Sequence, residues 1–146
     1  MVKVSVNRII EAPVEKVWET IQSYDSLVNW HAAIASSLIE NEKGSTELGA
    51  VRKVVMHDGA VIREVLIGWS NEEHMYKYKI LECPFPITNF EATLKCTKTS
   101  DGDNCFVEWI SNEFDTPHDQ KEAMRTLAET VFTLGFEGIA LKVIKA

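Results

Sequence analysis

The segment PHDQKEAMRTLAETVFTLGFEGIALKV, residues Pro117–Val143, decides the fold that we predict for this chain. Its apolar residues recur every three or four positions over several turns, which predicts one long amphipathic helix. They form two neighbouring stripes: Met124, Leu127, Ala128, Val131, Leu134, Gly135, Gly138 and Leu141, and then Phe132, Phe136, Ile139 and Val143. Thr116 is the expected cap and Pro117 the expected first helical residue. So wide an apolar arc needs a large partner surface.

Two glycines lie inside this predicted helix, at Gly135 and Gly138. A glycine in a helix interior costs about 1 kcal/mol relative to alanine, so each one calls for a reason. Two interpretations stay open. The glycines allow the helix to pack closely on a sheet, or their missing side chains leave room for a ligand.

The chain before the helix has the pattern of one strand, two short helices and then consecutive strands. Val4–Ile10 alternates like a strand, whereas Val14–Ile21 and Tyr24–Ile34 have helical spacing. Further strands are expected at Ser36–Glu42, Gly49–Met56, Ala60–Trp69, Met75–Leu81, Thr88–Thr99 and Asn104–Glu113. Short turns between consecutive strands favour an antiparallel sheet with the long helix on its apolar face. We therefore predict a single α+β domain over residues 1–146, in which a ligand cavity can form between sheet and helix.

The composition excludes several classes of partner. Lys and Arg total 15 against 22 Asp and Glu, a net charge of −7, so nucleic acid and anionic membranes are not expected partners. No run approaches the roughly 20 apolar residues of a membrane span, so membrane insertion is not expected. The first residues alternate like a strand and do not resemble a signal peptide, which favours a cytoplasmic location. Nothing in the sequence indicates an oligomeric state.

The sequence contains no recognisable metal, cofactor or nucleophile motif. Cys83, Cys96 and Cys105 do not have zinc-site spacing, and we expect them to be thiols, the last two on neighbouring strands and facing each other. No two histidines have an i, i+4 spacing, so no metal site is predicted. There is no G-x-S-x-G, no Gly-rich phosphate loop and no Cys/His arrangement. We predict no cofactor.

An ordered set of short segments resembles the SRPBCC superfamily of START and birch-allergen-like helix-grip proteins. Within it, the chain is most similar to the bacterial polyketide cyclase/dehydrase and lipid-transport-like branch. The matching segments are Ala12–Trp18, Trp30–Ile34, Gly49–Arg52, Asp58–Glu64, Tyr76–Tyr78, Pro84–Phe90 and Val107–Trp109. One departure is Ala32, where the branch often has proline.

The resemblance implies a helix-grip fold. This is a curved seven-stranded antiparallel sheet wrapped around a long C-terminal helix, with two short helices between strands 1 and 2 and a cavity inside. It also implies binding of hydrophobic small molecules such as lipids, polyketides, sterols or hormones. It does not imply one reaction, because function carried from fold alone is analogy.

A predicted hairpin brings two opposite charges together. If His57–Gly59 is a three-residue turn, residues whose numbers sum to 116 face each other, so Arg52 opposes Glu64 and Val54 opposes Ile62. Both charges then lie on an apolar face. A two-residue turn would break this pairing.

The chemistry of this pair depends on where its side chains point. If both point inward, Arg52 is a candidate for binding a carboxylate or polarised carbonyl, and Glu64 is a candidate general base. The alternative is an ion pair that fixes the sheet, or two surface charges. His31 is the third catalytic candidate, because histidine suits proton transfer near neutral pH. Its alternative is a partly exposed histidine beside a buried tryptophan.

Three functions are compatible with these patterns. The first is binding of a hydrophobic or amphiphilic small molecule in the cavity. The second is a cyclase, aromatase or dehydratase that uses Glu64 or His31 with Arg52, and the third is a protein-interaction module. The predicted ligand-binding residues are Trp30, His31, Arg52, Val54, Ile62, Glu64, Leu66, Tyr78, Phe90, Ala92, Trp109, Leu127, Val131, Gly135 and Gly138.

Overall fold

A computed structural model describes residues 1–144, which form one antiparallel sheet covered by a long helix. The strands are β1 (Ser5–Ile10), β2 (Ile34–Ile39), β3 (Val51–Met56), β4 (Val61–Ser70), β5 (Met75–Glu82), β6 (Glu91–Lys98) and β7 (Cys105–Ser111). The helices are α1 (Val14–Ile21), α2 (Leu27–Trp30) and α3 (Lys121–Ile144). The strand order is β1-β7-β6-β5-β4-β3-β2, which confirms the helix-grip prediction.

The β3–β4 hairpin has the register that the sequence predicts. Arg52 pairs with Glu64, and Val54 pairs with Ile62. Gly59 has a φ of 95°, a conformation that glycine adopts without strain and that lets the three-residue turn close. Both charged side chains therefore lie on the inner face of the sheet.

The inner face of β6 and β7 supplies much of the core. Phe90, Ala92, Leu94 and Cys96 are all buried, as their alternation predicts. Cys105 is also buried and lies diagonally from Cys96 rather than directly opposite it, since Cys96 pairs with Val107. All the cysteines are free thiols.

The short helical region ends earlier than predicted. It consists of a 3-10 turn at Tyr24–Ser26 followed by α2, which stops at Trp30. The backbone of His31 is already extended, with φ −101° and ψ 116°. Ile34 therefore begins β2 instead of ending a helix. The apolar spacing fits both states over so short a segment, so periodicity alone does not place the boundary.

The α3 helix begins later than predicted. It starts at Lys121, after Pro117 and a 3-10 turn at His118–Gln120. Within the described residues the Thr116 hydroxyl has no hydrogen-bond partner, so the predicted Thr116 cap is wrong. The intervening turn separates Thr116 from the first N–H groups of α3, which a capping side chain has to reach.

The structure shows which part of the apolar arc of α3 faces the sheet. Leu141, in the first predicted stripe, is 59% exposed, and Leu127 and Val131 are half-buried. The apolar arc is wider than the surface it meets, so the spacing does not tell which part faces the sheet. The buried residues of α3 comprise the whole second stripe, part of the first stripe and Ala140: Met124, Ala128, Phe132, Gly135, Phe136, Ile139, Ala140 and Val143.

The two helix glycines serve close packing. A Cβ at Gly138 would overlap the carbonyl oxygen of Trp30, and a Cβ at Gly135 would lie 2.7 Å from the Trp109 ring. Close packing is therefore the interpretation that the structure supports. The space that the missing side chains leave is filled by Trp30 and Trp109.

Candidate ligand cavity

The centre of the candidate site is a buried ion pair between neighbouring strands. Arg52 is 1% exposed and Glu64 is 7% exposed. Nε and Nη2 of Arg52 donate to Oε1 of Glu64 at 3.0 and 2.6 Å. The β3–β4 register places the two side chains opposite each other on one face, which explains this geometry. For charges that point inward, the sequence left open either a ligand-binding or catalytic role or an ion pair that fixes the sheet. The structure contains the ion pair.

The guanidinium of Arg52 is engaged on its other side as well. Nη1 donates to the carbonyl oxygen of Tyr24 at 2.8 Å, and the guanidinium carbon lies 4.0 Å from the centre of the Tyr24 ring. Burial is the largest single influence and opposes the charge, but the combined attraction of Glu64 and the neighbouring tyrosines raises the pKa of Arg52 well above its usual value. Arg52 is therefore permanently charged, and its contacts leave little capacity for a ligand carboxylate.

Tyr76 and Tyr78 are buried phenols beside this pair. Burial raises the pKa of each above its usual value, so both remain neutral at physiological pH. The Nε1–H of Trp109 donates to the Tyr78 hydroxyl oxygen at 3.0 Å. Trp109 also stacks on Phe132, with ring centroids 4.5 Å apart, which fixes the orientation of the indole.

His31 is a buried link between α2 and α3. It is 2% exposed, so the expected partly exposed histidine is wrong. Its Nε2 lies 2.7 Å from the carbonyl oxygen of Val131, and its Nδ1 accepts the Ala33 N–H at 3.2 Å. A carbonyl oxygen only accepts, so Nε2 carries the proton. Burial lowers the pKa of His31, which favours this neutral form.

Two small cavities adjoin beneath α3. One of about 60 Å³ is bordered by the ion pair and His31, and one of about 70 Å³ lies toward β5 and the segment after it. Glu64 and Tyr78 border both cavities, as do four apolar residues: Ile62, Phe85, Leu127 and Val131. Together they form a largely apolar space with a few buried polar groups, the usual composition of a small-molecule site.

Most of the predicted ligand-binding residues border these cavities. They are His31, Arg52, Val54, Ile62, Glu64, Tyr78, Phe90, Trp109, Leu127 and Val131. Their binding role stays a prediction.

The other predicted residues lie elsewhere. Leu66 and Ala92 are buried in the core, and Gly135 is covered by Trp109. Trp30 and Gly138 border a separate groove of about 280 Å³, open at the surface between α2 and α3. Neither Arg52 nor Glu64 borders that groove, so we place the candidate site at the inner cavities.

Several residues that border the cavities are not among the predicted ligand-binding residues: Leu27, Ile34, Met56, Ile80, Phe85, Ile87, Ala128 and Phe132. Met56 and Ile80 were detectable, because they continue the inward alternation of Val54 and Tyr78. Phe85 and Ile87 carry no such signal. They lie in a loop segment with prolines at positions 84 and 86, where side-chain direction follows no period.

The chain resembles solved structures over nearly its whole length. XoxI from Bacillus cereus is 25% identical, with 99% of this chain and 96% of that chain covered and a TM-score of 0.88. The ZhuI aromatase/cyclase from Streptomyces sp. R1128 is 14% identical, with 98% and 93% covered and a TM-score of 0.81. Norcoclaurine synthase from Thalictrum flavum is 14% identical, with 98% and 94% covered and a TM-score of 0.76. At such low identity the last two show the shared fold alone.

Three further findings bear on the class of protein. No helix within residues 1–144 has the length and hydropathy to cross a membrane. No curated protein sequence matches the chain significantly. A family model described as polyketide cyclase/dehydrase and lipid transport matches residues 1–143. Because this match covers nearly the whole sequence, the chain belongs to the polyketide cyclase/dehydrase and lipid transport family.

Proposed function

We propose that this protein binds a hydrophobic or amphiphilic small molecule, lipid-like or polyketide-like, between its sheet and α3. The observation that carries the proposal is a buried charged pair at the wall of a largely apolar cavity. Core packing alone seldom leaves such a pair beside empty space, since desolvating charges is costly. Membership of the family supports ligand binding in general.

The size of the cavities limits what enters without rearrangement. An apolar cavity of about 150 Å³ holds one benzene, and drug-sized ligands need about 300 Å³ or more. Each cavity here is smaller, at about 60 and 70 Å³. A larger ligand therefore requires movement of the half-buried side chains at the rim, namely Phe85, Ile87, Leu127 and Val131. They come from the loop after β5 and from one face of α3.

Native mass spectrometry of freshly purified protein tests the proposal, followed by solvent extraction of any bound molecule. We expect a defined adduct in near-stoichiometric amount. Leu127→Trp fills the rim of both cavities and should abolish the adduct. Leu134→Trp is the matched control, because Leu134 is also a half-buried α3 residue but borders neither cavity. An adduct that survives Leu127→Trp would contradict binding at this site.

A cyclase, aromatase or dehydratase activity is the second candidate. The observation in its favour is that His31, Arg52 and Glu64 border one cavity. His31 and Arg52 are engaged by protein groups, so Glu64 is the residue best placed to act as a base.

Proton abstraction by Glu64 is testable without the natural substrate. Deuterium exchange at the α-carbon of a small ketone such as 2-butanone is followed by proton NMR in D₂O. If Glu64 is a general base, the wild-type protein accelerates this exchange and Glu64→Gln does not. Equal exchange in the two proteins would remove the basis for this candidate.

A further inference from the structure

The cavity wall contains one hydrogen-bond acceptor that the protein leaves unused. Both N–H groups that Arg52 directs at Glu64 go to Oε1. Oε2 of Glu64 accepts no hydrogen bond from any residue in the 1–144 range. The side chain is more than nine-tenths buried and borders both cavities. This oxygen is not fully buried, because the fully buried side-chain oxygens without a partner among residues 1–144 are those of Tyr24 and Thr116. It is therefore accessible at the cavity wall, where a ligand that donates a hydrogen bond would satisfy it.

The same wall contains one unused donor. The Tyr78 hydroxyl oxygen accepts from Trp109, but its own proton is donated to no group in the described part of the chain. The phenol keeps that proton, because burial raises its pKa. Tyr78 lies diagonally from Glu64 on the inner face, since Leu66 pairs with Tyr78 and Glu64 pairs with Ile80. One small polar group of a ligand can therefore lie between the two side chains.

Charge decides which polar group fits best. Arg52 and Glu64 neutralise each other, so the buried pair carries no net charge. A ligand carboxylate would face the oxygen of Glu64, and an ammonium group would bring a second cation beside Arg52. Either would leave a net charge in a poorly hydrated site, which is unfavourable. A hydroxyl is neutral, donates once and accepts, which complements Glu64 and Tyr78.

We propose that the ligand carries an uncharged hydroxyl group, as an alcohol, enol or phenol, that donates to Oε2 of Glu64 and accepts from the hydroxyl of Tyr78. The apolar remainder of the ligand lies against Ile62, Leu127 and Val131, which border both cavities. This inference rests on the proposed binding function and specifies the chemistry of the ligand at that site.

A set of probes of matched length tests the inference on the wild-type protein: 1-hexanol, methyl pentyl ether, hexanoate and hexylammonium. Binding is followed by ¹H–¹⁵N NMR titration of the amides of cavity residues. We expect 1-hexanol to bind at least ten-fold more tightly than the ether, which only accepts, and than either charged probe. Equal binding of hexanol and ether would overturn the inference while leaving the proposed binding function intact. Tightest binding of hexanoate would overturn it in favour of recognition by Arg52.

Failure of the binding function itself has a different signature. If no probe shifts the resonances of Ile62, Leu127 or Val131, the cavity does not bind such molecules, and both proposals fall together.

Substitution of Glu64 gives a second test. Glu64→Gln keeps an oxygen for Arg52 but can replace the unused acceptor with an amide donor. We expect the ten-fold advantage of hexanol over ether to disappear. Glu82→Gln is the control, because Glu82 is exposed on β5 and borders neither cavity. An unchanged advantage in Glu64→Gln would overturn the inference. If this variant does not fold, the wild-type probe series decides alone.

Discussion

The two halves of α3 meet the rest of the protein in different ways. The C-terminal half lies against Trp30 and Trp109 so closely that Gly135 and Gly138 have no space for a Cβ. The N-terminal half has larger residues, including Leu127 and Val131, and yet it borders two cavities. Small residues thus mark the C-terminal or tight half of α3, and larger residues mark the N-terminal or loose half. Cavity position depends on how far the helix stands from the sheet, and the tight half fixes that distance.

The largest effect should come from breaking the ion pair under the loose half. Glu64→Leu leaves Arg52 charged, buried and without its partner, and should reduce the free energy of unfolding by about 3–5 kcal/mol. Urea denaturation measures the loss. The double variant Arg52→Met/Glu64→Leu should recover most of it, because an apolar pair of similar size carries no desolvation cost. A double variant no more stable than Glu64→Leu would show that the loss has another cause.

On the tight half, Gly138→Ala should reduce the free energy of unfolding by about 3 kcal/mol, at the upper end for overpacking. The added methyl meets the backbone of Trp30, which cannot move aside as a flexible side chain would. The neighbouring exposed position gives a control, Glu137→Ala, for which the change should stay within about 0.5 kcal/mol. A neutral Gly138→Ala would refute the close contact.

Acid should weaken the link that His31 makes between α2 and the N-terminal half of α3. Burial lowers its folded-state pKa below the unfolded value, so the unfolded chain takes up the proton first. Stability should therefore decrease as pH falls below about 6.5, by at most about 1.4 kcal/mol per pH unit for one proton. Unfolding curves at pH 7.5 and 5.5, compared with His31→Gln, isolate this residue from the other titrating groups. The same pH dependence in His31→Gln would exclude it.

The smallest effect, and one of opposite sign, is expected from enlarging a residue on the loose half. Val131→Ile adds one methylene toward the cavities and keeps a β-branched side chain. Filling space in this way should stabilise the protein by about 0.5–1 kcal/mol. A shift of the thermal midpoint measures the gain. A loss comparable to that of Gly138→Ala would mean that the two halves are packed equally tightly.

The sheet was largely predictable because its signals are local. The turn at Asp58-Gly59 and the alternation on either side of it predicted the pairing of Arg52 with Glu64 for a three-residue turn, and the structure has that pairing. Burial of both charges was one of the alternatives that the sequence left open. The orientation of α3 was not predictable in the same way. Its apolar arc is wider than its contact, so the residues that face the sheet are decided by the partner surface.

The residues of the candidate site also divide into those with a local sequence signal and those without one. Residues on strands, such as Val54 and Tyr78, were placed at the cavity by alternation. Phe85 and Ile87 were not, because their segment has neither a strand nor a helix period. The hydrogen bond of His31 Nε2 was also not predictable from the sequence, since its partner, the carbonyl oxygen of Val131, lies 100 residues further along the chain.

The position of Trp109 has a practical consequence. Its indole borders the cavity next to the ion pair, whereas the rings of Trp18 and Trp69 pack against each other in a tilted arrangement, with centroids 5.7 Å apart, and border neither cavity. Indole fluorescence depends on the polarity around the ring, so an occupant of the cavity alters the emission of Trp109 and leaves the other pair unchanged. The protein therefore carries an intrinsic optical reporter of its own occupancy, and Trp18→Phe/Trp69→Phe would isolate that reporter from much of the background.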